Sequence, residues 1–331
     1  MIEEMISVVV VTYNQAATIG RTLDSILMQR CHVPFEIVIG EDYSTDDTRA
    51  VCQTYANQHP DIIRLICNSK NKGIVDNYFD CLLACRGKYI ADCAGDDFWI
   101  DPQKLEKEVT MMEAHPEVTM VITNWQYYNE LHGKTTPSRQ QQHAPITPGH
   151  NLLRPIITQQ NMSVFHLCTA LYRADIFRKA YKEDTDLFRN KTYVSEDMQI
   201  AFTMALNGNI AYLPDVTLNY NLGEGSVSNV TDSEKAFRFV SRSTELICYL
   251  ADKHHLDIQN FMTQRIFELG MHAFRSHQPS LYKETLACEK KWQVRRIFKN
   301  SCLFLVMHQD CLWRAGLTLR HVFVWLKQAG R

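Results

Sequence analysis

The chain has 331 residues, 45% of them hydrophobic and 22% charged, with only ten prolines. That composition excludes a disordered or fibrous protein, and the length suits about two domains that bury roughly three quarters of the unfolded surface. A formal net charge of −2 excludes the strong basic field of a nucleic-acid binder.

The charge is uneven. Residues 283–331 carry ten Lys or Arg against Glu284, Glu289 and Asp310, which leaves the tail at about +7 and the remainder at about −9. Eleven cysteines are scattered through apolar segments without a CxxC pair, as expected of thiols in a reducing compartment. The start, MIEEMISVVVV, has two acids before its apolar run and no small-residue cleavage site after it, so no signal peptide is expected, and no apolar stretch approaches the 18 or so residues that span a bilayer. The expected location is cytoplasmic, with any membrane contact peripheral.

In chain order, Ser7 to Thr12 is a β-branched run suited to a strand buried on both faces. Asn14 is then an N-cap candidate for a helix whose Ile19, Leu23, Ile26 and Leu27 share one face. Glu36 to Gly40 predicts a second strand, and Ser44 with Asp47 fits a capping box opening a second helix. A third strand is expected at Ile62 to Cys67, a helix from Asn77 to Cys85, and a fourth strand at Lys88 to Asp92. Such alternation argues a doubly wound parallel sheet, whose ligands bind beyond the carboxyl ends of the strands. TYN, EDYSTDDT and CAGDDFW all fall at those ends. The polar, glutamine-rich stretch from about 130 to 160 predicts a long loop, GEGSVSN after Tyr220 predicts another, and from Ser233 the pattern is helical. A domain boundary is placed near residue 232, giving regions 1–232 and 233–331.

Asp96 and Asp97 are adjacent acids that repel one another unless hydrated or matched by a cation. By themselves they fit either a solvated turn or a grip on Mg2+ or Mn2+ beside phosphate oxygens. Glu196 and Asp197 similarly fit either a helix N-terminus or a general base. His166 and Arg173 lie in an apolar run, where core roles are common, and Phe98 and Trp99 fit core packing or a sugar pocket. None of the thirteen histidines forms an HxxxH or HExxH pair, so a zinc enzyme has no support.

Taken together, SVVVVTYN, EIVIGEDYSTDDT, NKG at 71–73, GKYIADCAGDDFWIDPQKLE and YVSEDMQ at 193–199 resemble, in order and spacing, the nucleotide-sugar domain of family 2 glycosyltransferases. The resemblance covers about residues 5–228. It implies an α/β GT-A fold, a Rossmann-like mostly parallel sheet flanked by helices, here with a C-terminal helical extension, and inverting sugar transfer from a nucleoside diphosphate donor, UDP-linked in most such enzymes. Carried over position by position, Thr12, Tyr13 and Asn14 match the loop that cradles the nucleotide, Asp42 the acid that receives the base, and Lys72 a residue near the diphosphate. Asp96, with Asp97 beside it, matches the site for Mn2+ or Mg2+. Asp197 matches the general base, with Glu196 next to it.

Two positions depart from the family pattern. The first acid of the metal motif falls on Ala94, with Asp92 one pleat deeper, and a histidine ligand expected downstream is replaced by Gly223, with Glu224 nearby. Weak metal affinity without substrate is the expectation. These departures keep a second reading in play, a catalytically weakened nucleotide-sugar-binding module. A sugar-phosphate nucleotidyltransferase is disfavoured because TYNQAATIG lacks a basic residue before Arg21, and the absence of QxxRW after Asp197 disfavours a processive synthase. The expected acceptor is a glycan or lipid-linked saccharide used in cell-envelope polysaccharide synthesis. In the tail, Leu312, Gly316, Leu319, Val322, Phe323 and Leu326 share a helical face flanked by basic residues, which suits either core packing or an inner-membrane surface.

Overall fold

A computed structural model describes residues 3–138, 144–159, 166–194, 196–222 and 232–329, with side chains from 4 to 319. Contacts divide the chain into two compact units, Met1–Glu224 and Gly225–Arg331.

The first unit opens with β1 (Glu3–Thr12), whose Ile6, Val8 and Val10 are fully buried. It continues through α1 (Ile19–Leu27), β2 (Phe35–Glu41), α2 (Thr48–Gln58), β3 (Ile63–Cys67), α3 (Ile74–Ala84), β4 (Gly87–Asp92), β5 (Phe98–Trp99) and α4 (Lys104–Ala114). Then come β6 (Val118–Asn129), β7 (Lys134–Pro137), β8 (Ile146–Thr147), α5 (Leu153–Thr158), β9 (Ala170–Arg173), α6 (Ala174–Glu183), α7 (Thr185–Arg189), α8 (Asp197–Asn207) and β10 (Asn209–Asn221). The sheet order is β3-β2-β1-β4-β9-β6-β10-β5, with β7 on β6 and β8 on β10. β1 pairs in parallel with both β2 and β4, so the chain crosses to opposite sides of β1 and leaves a crevice beyond Thr12.

The doubly wound pattern expected from the sequence holds for β1 to β4. Beyond them β9 runs antiparallel between β4 and β6, and the sheet becomes mixed. Three local expectations are corrected. Asn14 does not cap α1: it sits at φ 54, and Thr18 is the capping residue. The Ser44–Asp47 capping box does not form, because Asp46 Oδ1 accepts from the Thr48 amide while the Ser44 amide donates to Glu41. The segment read as one long loop contains β7, β8 and α5, with residues 139–143 outside the described residues. Its threonines and Ile146 find partners on β6 and β10 that a local pattern does not reveal.

The second unit holds α9 (Ser233–Lys253), α10 (Gln259–Ser276), α11 (Pro279–Lys291), α12 (Phe298–His308) and α13 (Asp310–Ala329). On α13, Trp313 is buried, its Nε1 donating to the Phe274 carbonyl at 2.9 Å, and a Cβ on Gly316 would meet the Phe274 ring at 3.0 Å. That part of the apolar face is therefore packed, whereas Leu312 and Leu319 are exposed; the side chains of Val322, Phe323 and Leu326 lie outside the described residues. No described helix is long and apolar enough to cross a membrane.

Beneath the acidic loop, Lys104 and Glu108 are both 0% exposed, with Nζ 2.9 and 2.7 Å from the two carboxylate oxygens and 4.6 Å from the Trp99 ring centre. Burial pushes the Glu108 carboxyl up to about 7, against the pull of the ammonium. Removing one partner strands the other charge. Glu108→Ala is expected to destabilise the protein by about 3–5 kcal/mol, and the double variant Lys104→Met, Glu108→Leu to recover most of that loss. Urea unfolding of the three proteins checks this.

Candidate active site

The ends of β1, β2 and β4 are knitted into one floor. The Asp42 amide donates to the Thr12 carbonyl at 3.0 Å, and the Gly95 amide to Val11 at 3.1 Å. Asn14, in the left-handed conformation that Asn tolerates well, accepts from the Thr45 amide at 2.8 Å, and its own amide donates to Ser44 Oγ at 3.0 Å. Thr12 is buried and donates to Gln15 Oε1, while Tyr13 is exposed at the rim. A Cβ on Gly95 would come within 2.4 Å of Gln15 Oε1 and 2.8 Å of Thr12 Oγ1, so only glycine admits this approach of the acidic loop to the first one.

Asp42 is 3% exposed. Its oxygens accept from Asn68 Nδ2, the Lys72 amide and the Gly73 amide, each at 2.9 Å, which folds NKG over the end of β2. The Lys72 ammonium lies 2.7 Å from Asp80, which also pairs with Arg189 at 2.7 Å.

The acidic loop is set by a polar row along α1, its capping residue Thr18 and Gln29 just beyond its end. Thr18 Oγ1 donates to the Gly95 carbonyl at 2.9 Å, Thr22 Oγ1 to the Asp97 carbonyl at 2.6 Å, and Gln29 Nε2 to the Asp101 carbonyl at 2.8 Å; Ser25 Oγ accepts from the Trp99 amide at 3.0 Å. The two acids consequently differ. Asp97 is 2% exposed and accepts from the Asn221 amide at 2.8 Å; burial, then the charge of Asp96, push its carboxyl up to about 8. Asp96 is half-buried beside Gln15 and Arg21, and its carboxyl is raised by burial against their opposing pull. Arg21 forms a two-point pair with Glu130 at 3.0 and 2.9 Å, its guanidinium 4.2 Å above the Phe98 ring.

Asn221, at the end of β10, is a residue that the sequence reading passed over. It is 4% exposed, its side chain bonds Glu130, and its Oδ1 is buried with no hydrogen-bond partner among the described residues. Because a carboxylate only accepts, the Glu130 contact assigns Nδ2 to Glu130 and leaves Oδ1 as the open oxygen. The signal in the sequence was its position three residues before Glu224 on the expected metal strand. Gly223 and Glu224 themselves lie outside the described residues. Asp96, Asp97 and this amide oxygen are hard donors that suit Mg2+ or Mn2+.

Glu196 and Asp197 open α8, which Ile200, Phe202 and Met204 anchor in the core. Burial raises both carboxyls, Asp197 to about 7, and the Asp197 charge pushes Glu196 further up. The same charge adds a smaller upward push on Asp97 and on Asp92. Asp92 lies at the end of β4, 4% exposed; among the described residues neither oxygen has a partner within bonding geometry, though the nearby Tyr78 and Tyr172 hydroxyls favour its charged form against the burial that lifts it to about 8.

Of the weaker candidates, Arg173 donates to the carbonyls of Val118 and Met112 and is structural. Trp99 is buried, its Nε1 donating to the Cys168 carbonyl. His166 lies 4.4 Å from the Tyr220 ring and 4.6 Å from Trp125, and burial pushes it down to about 4, a neutral ring in an aromatic cluster.

With this geometry in place, comparison with known proteins decides the family. The model described as Glycosyl transferase family 2 matches residues 7–180. The chain belongs to this family. It is 42% identical over 114 residues to the uncharacterized protein Rv1520 of Mycobacterium tuberculosis, covering 34% of this chain and 33% of that one. It is 27% identical over 227 residues to the succinoglycan biosynthesis protein ExoO of Rhizobium meliloti, covering 68% and 63% respectively. The match to Rv1520 spans about a third of that protein's length. Among solved structures, S. aureus TarS 1-349 in complex with UDP-GlcNAc superposes with a TM-score of 0.57 at 18% identity, over 94% of this chain and 92% of that one. The shared architecture of the family 2 protein described here is the GT-A fold.

The gathered carboxyls make stability pH-dependent. Each has a folded-state pKa above its unfolded value near 4, so the folded chain retains protons that the unfolded chain has lost, and stability falls as pH rises from about 4 toward 8. Asp92→Asn removes one such group. Its stability advantage over wild type is expected to grow between pH 5 and 8, by on the order of 3 kcal/mol at most, as measured by urea unfolding at the two pH values.

Proposed function

We propose that this family 2 protein is an inverting glycosyltransferase moving a sugar from a nucleoside diphosphate, UDP-linked, to a hydroxyl of a glycan or lipid-linked saccharide in polysaccharide synthesis. The observation that carries the reading is the floor where the loops after β1, β2 and β4 meet, with Asp42, Asp96 and Asp97 along it, in a chain of glycosyltransferase family 2.

In this mechanism Asp197 takes the acceptor hydroxyl's proton as that oxygen forms its bond to the anomeric carbon. The bond from that carbon to the diphosphate breaks on the opposite face, and the nucleoside diphosphate leaves with the electron pair. Glu196 and Asp197, both raised by burial, share the charge of this edge, so that ionising one holds the proton on the other. Asp42, with three donors already on its carboxylate, keeps capacity for one further donor, the base imide N–H. Thr12, Tyr13 and Asn14 form the nucleotide side, and Lys72 reaches the diphosphate by leaving Asp80. Asp96, Asp97 and Asn221 Oδ1 would hold Mn2+ or Mg2+, which when bound supplies positive charge beside the leaving diphosphate. Cytoplasmic placement at a membrane face is part of the proposal: Phe298, Leu305 and Leu319 are 85, 63 and 71% exposed, and Arg295 and Lys299 lie beside Phe298 in the sequence.

Asp197→Asn is expected to lose about 100- to 10,000-fold in transfer or donor hydrolysis while retaining UDP binding, and the wild-type rate should rise with pH through about 7 as Asp197 ionises. Steady-state rates over a panel of nucleotide sugars check this. Equal inertness of wild type and variant across the panel would favour a binding module instead. Asn221→Ala should weaken Mn2+ binding in the presence of UDP by roughly ten-fold, read by calorimetry or Mn2+ resonance, with UDP affinity in the absence of metal unchanged.

A further inference from the structure

The connection from α1 to β2 carries a second constellation, unrelated to the acidic edge. Cys31, His32 and Glu106 each present a ligand atom within 4.8 Å of the other two. His32 Nδ1 lies 2.8 Å from Glu106 Oε2, and the same oxygen accepts from the His32 amide at 2.9 Å. The other ring nitrogen, Nε2, lies 3.4 Å from Glu113 Oε2, two helical turns beyond Glu106 on α4. Cys31 is half-buried, and its thiol is held up to about 11 by burial, with a further push from Glu106. The His32 side chain is 52% exposed and that of Glu106 36%, so an ion can enter from solvent.

We propose that Cys31, His32 and Glu106 form a structural site for a borderline divalent transition ion of the Zn2+ type, with water completing the shell. Sulfur, imidazole nitrogen and carboxylate oxygen form a donor set that zinc accepts and that the oxygen-seeking Mg2+ does not. Glu113 takes the place of the carboxylate that commonly orients a ligating histidine through its second nitrogen. Binding displaces the thiol proton, and thiolate plus carboxylate then balance the charge of the ion. The ion would fasten the α1–β2 connection to α4, beside two links already present: Gln29 Nε2 to the Asp101 carbonyl and the Arg30 amide to the Pro102 carbonyl, each at 2.8 Å. Sequence spacing hides this cluster because Glu106 lies 74 positions beyond His32.

The test uses the full chain, freed of metal and held in excess Mg2+ to occupy the acidic edge. Zn2+ is titrated by calorimetry and Co2+ by absorption. One equivalent is expected, with a thiolate-to-cobalt charge-transfer band; Cys31→Ser should abolish the band, and Cys31→Ser and His32→Ala should each weaken Zn2+ binding at least about ten-fold. Asp96→Asn should leave both readouts unchanged. A cobalt spectrum without the band, or Zn2+ affinity that is the same in wild type, Cys31→Ser and His32→Ala, overturns the proposal. Circular dichroism of the variants separates lost ligands from lost fold, and since no readout is catalytic, the outcome is independent of the glycosyltransferase assignment.

Discussion

The polar row on α1 is the constraint on which the candidate site rests. Thr18 at the cap, Thr22 and Ser25 within the helix, and Gln29 just beyond its end recur at intervals of four, three and four, and they meet Gly95, Asp97, Trp99 and Asp101, which recur at intervals of two. From Thr18 to Ser25 the helix rises about 10 Å, and the four steps of extended chain from Gly95 to Trp99 cover about 13 Å, so a segment that bends once at the paired acids keeps step with the helix. Each contact satisfies a main-chain group that would otherwise be stranded near the core, at a cost of about 1–3 kcal/mol apiece. The helix thereby dictates which acid turns inward. Asp97 is locked against the amide of Asn221, and Asp96 is left at the rim.

That arrangement concentrates negative charge where water is scarce. Asp92, Asp97, Glu196 and Asp197 all hold their protons more tightly than free carboxyls, and the strongest cause is burial in each case. Lys104 tempers the potential from below, acting on Asp92, and Arg21 does so from the side, acting on Asp96. Both cations are themselves tied to carboxylates, Glu108 and Glu130. A divalent ion bound at the acidic edge would therefore lower the repulsion among these acids and offset the negative charge of a diphosphate brought beside them, which is the physical sense of the proposed donor site.

Much of this was legible in the sequence, for reasons that can be named. SVVVVT and EIVIG announced buried parallel strands because β-branched residues crowd a sheet covered on both faces, and the convergence of TYN, EDYSTDDT and CAGDDFW followed from the parallel topology. The apolar face of α1 was read from Ile19, Leu23 and Ile26, but the polar row on the same helix was not, since threonine and serine at helical spacing look like surface. The role of Asn14 was misread for a similar reason: local preference pointed to a helix cap, while a loop thirty residues away claimed its side chain. Asn221 was passed over because an amide at a strand end carries no signal until its neighbours are known. β7 and β8 depend on partners far along the chain, which no local period encodes.

Gly95 has a mechanical consequence. Its missing side chain lets the acidic loop rest directly on the side chains of Thr12 and Gln15. A carbon added at position 95 would press first on those two residues, so the spacing between the loop after β1 and the loop after β4 is set by the absence of a single atom.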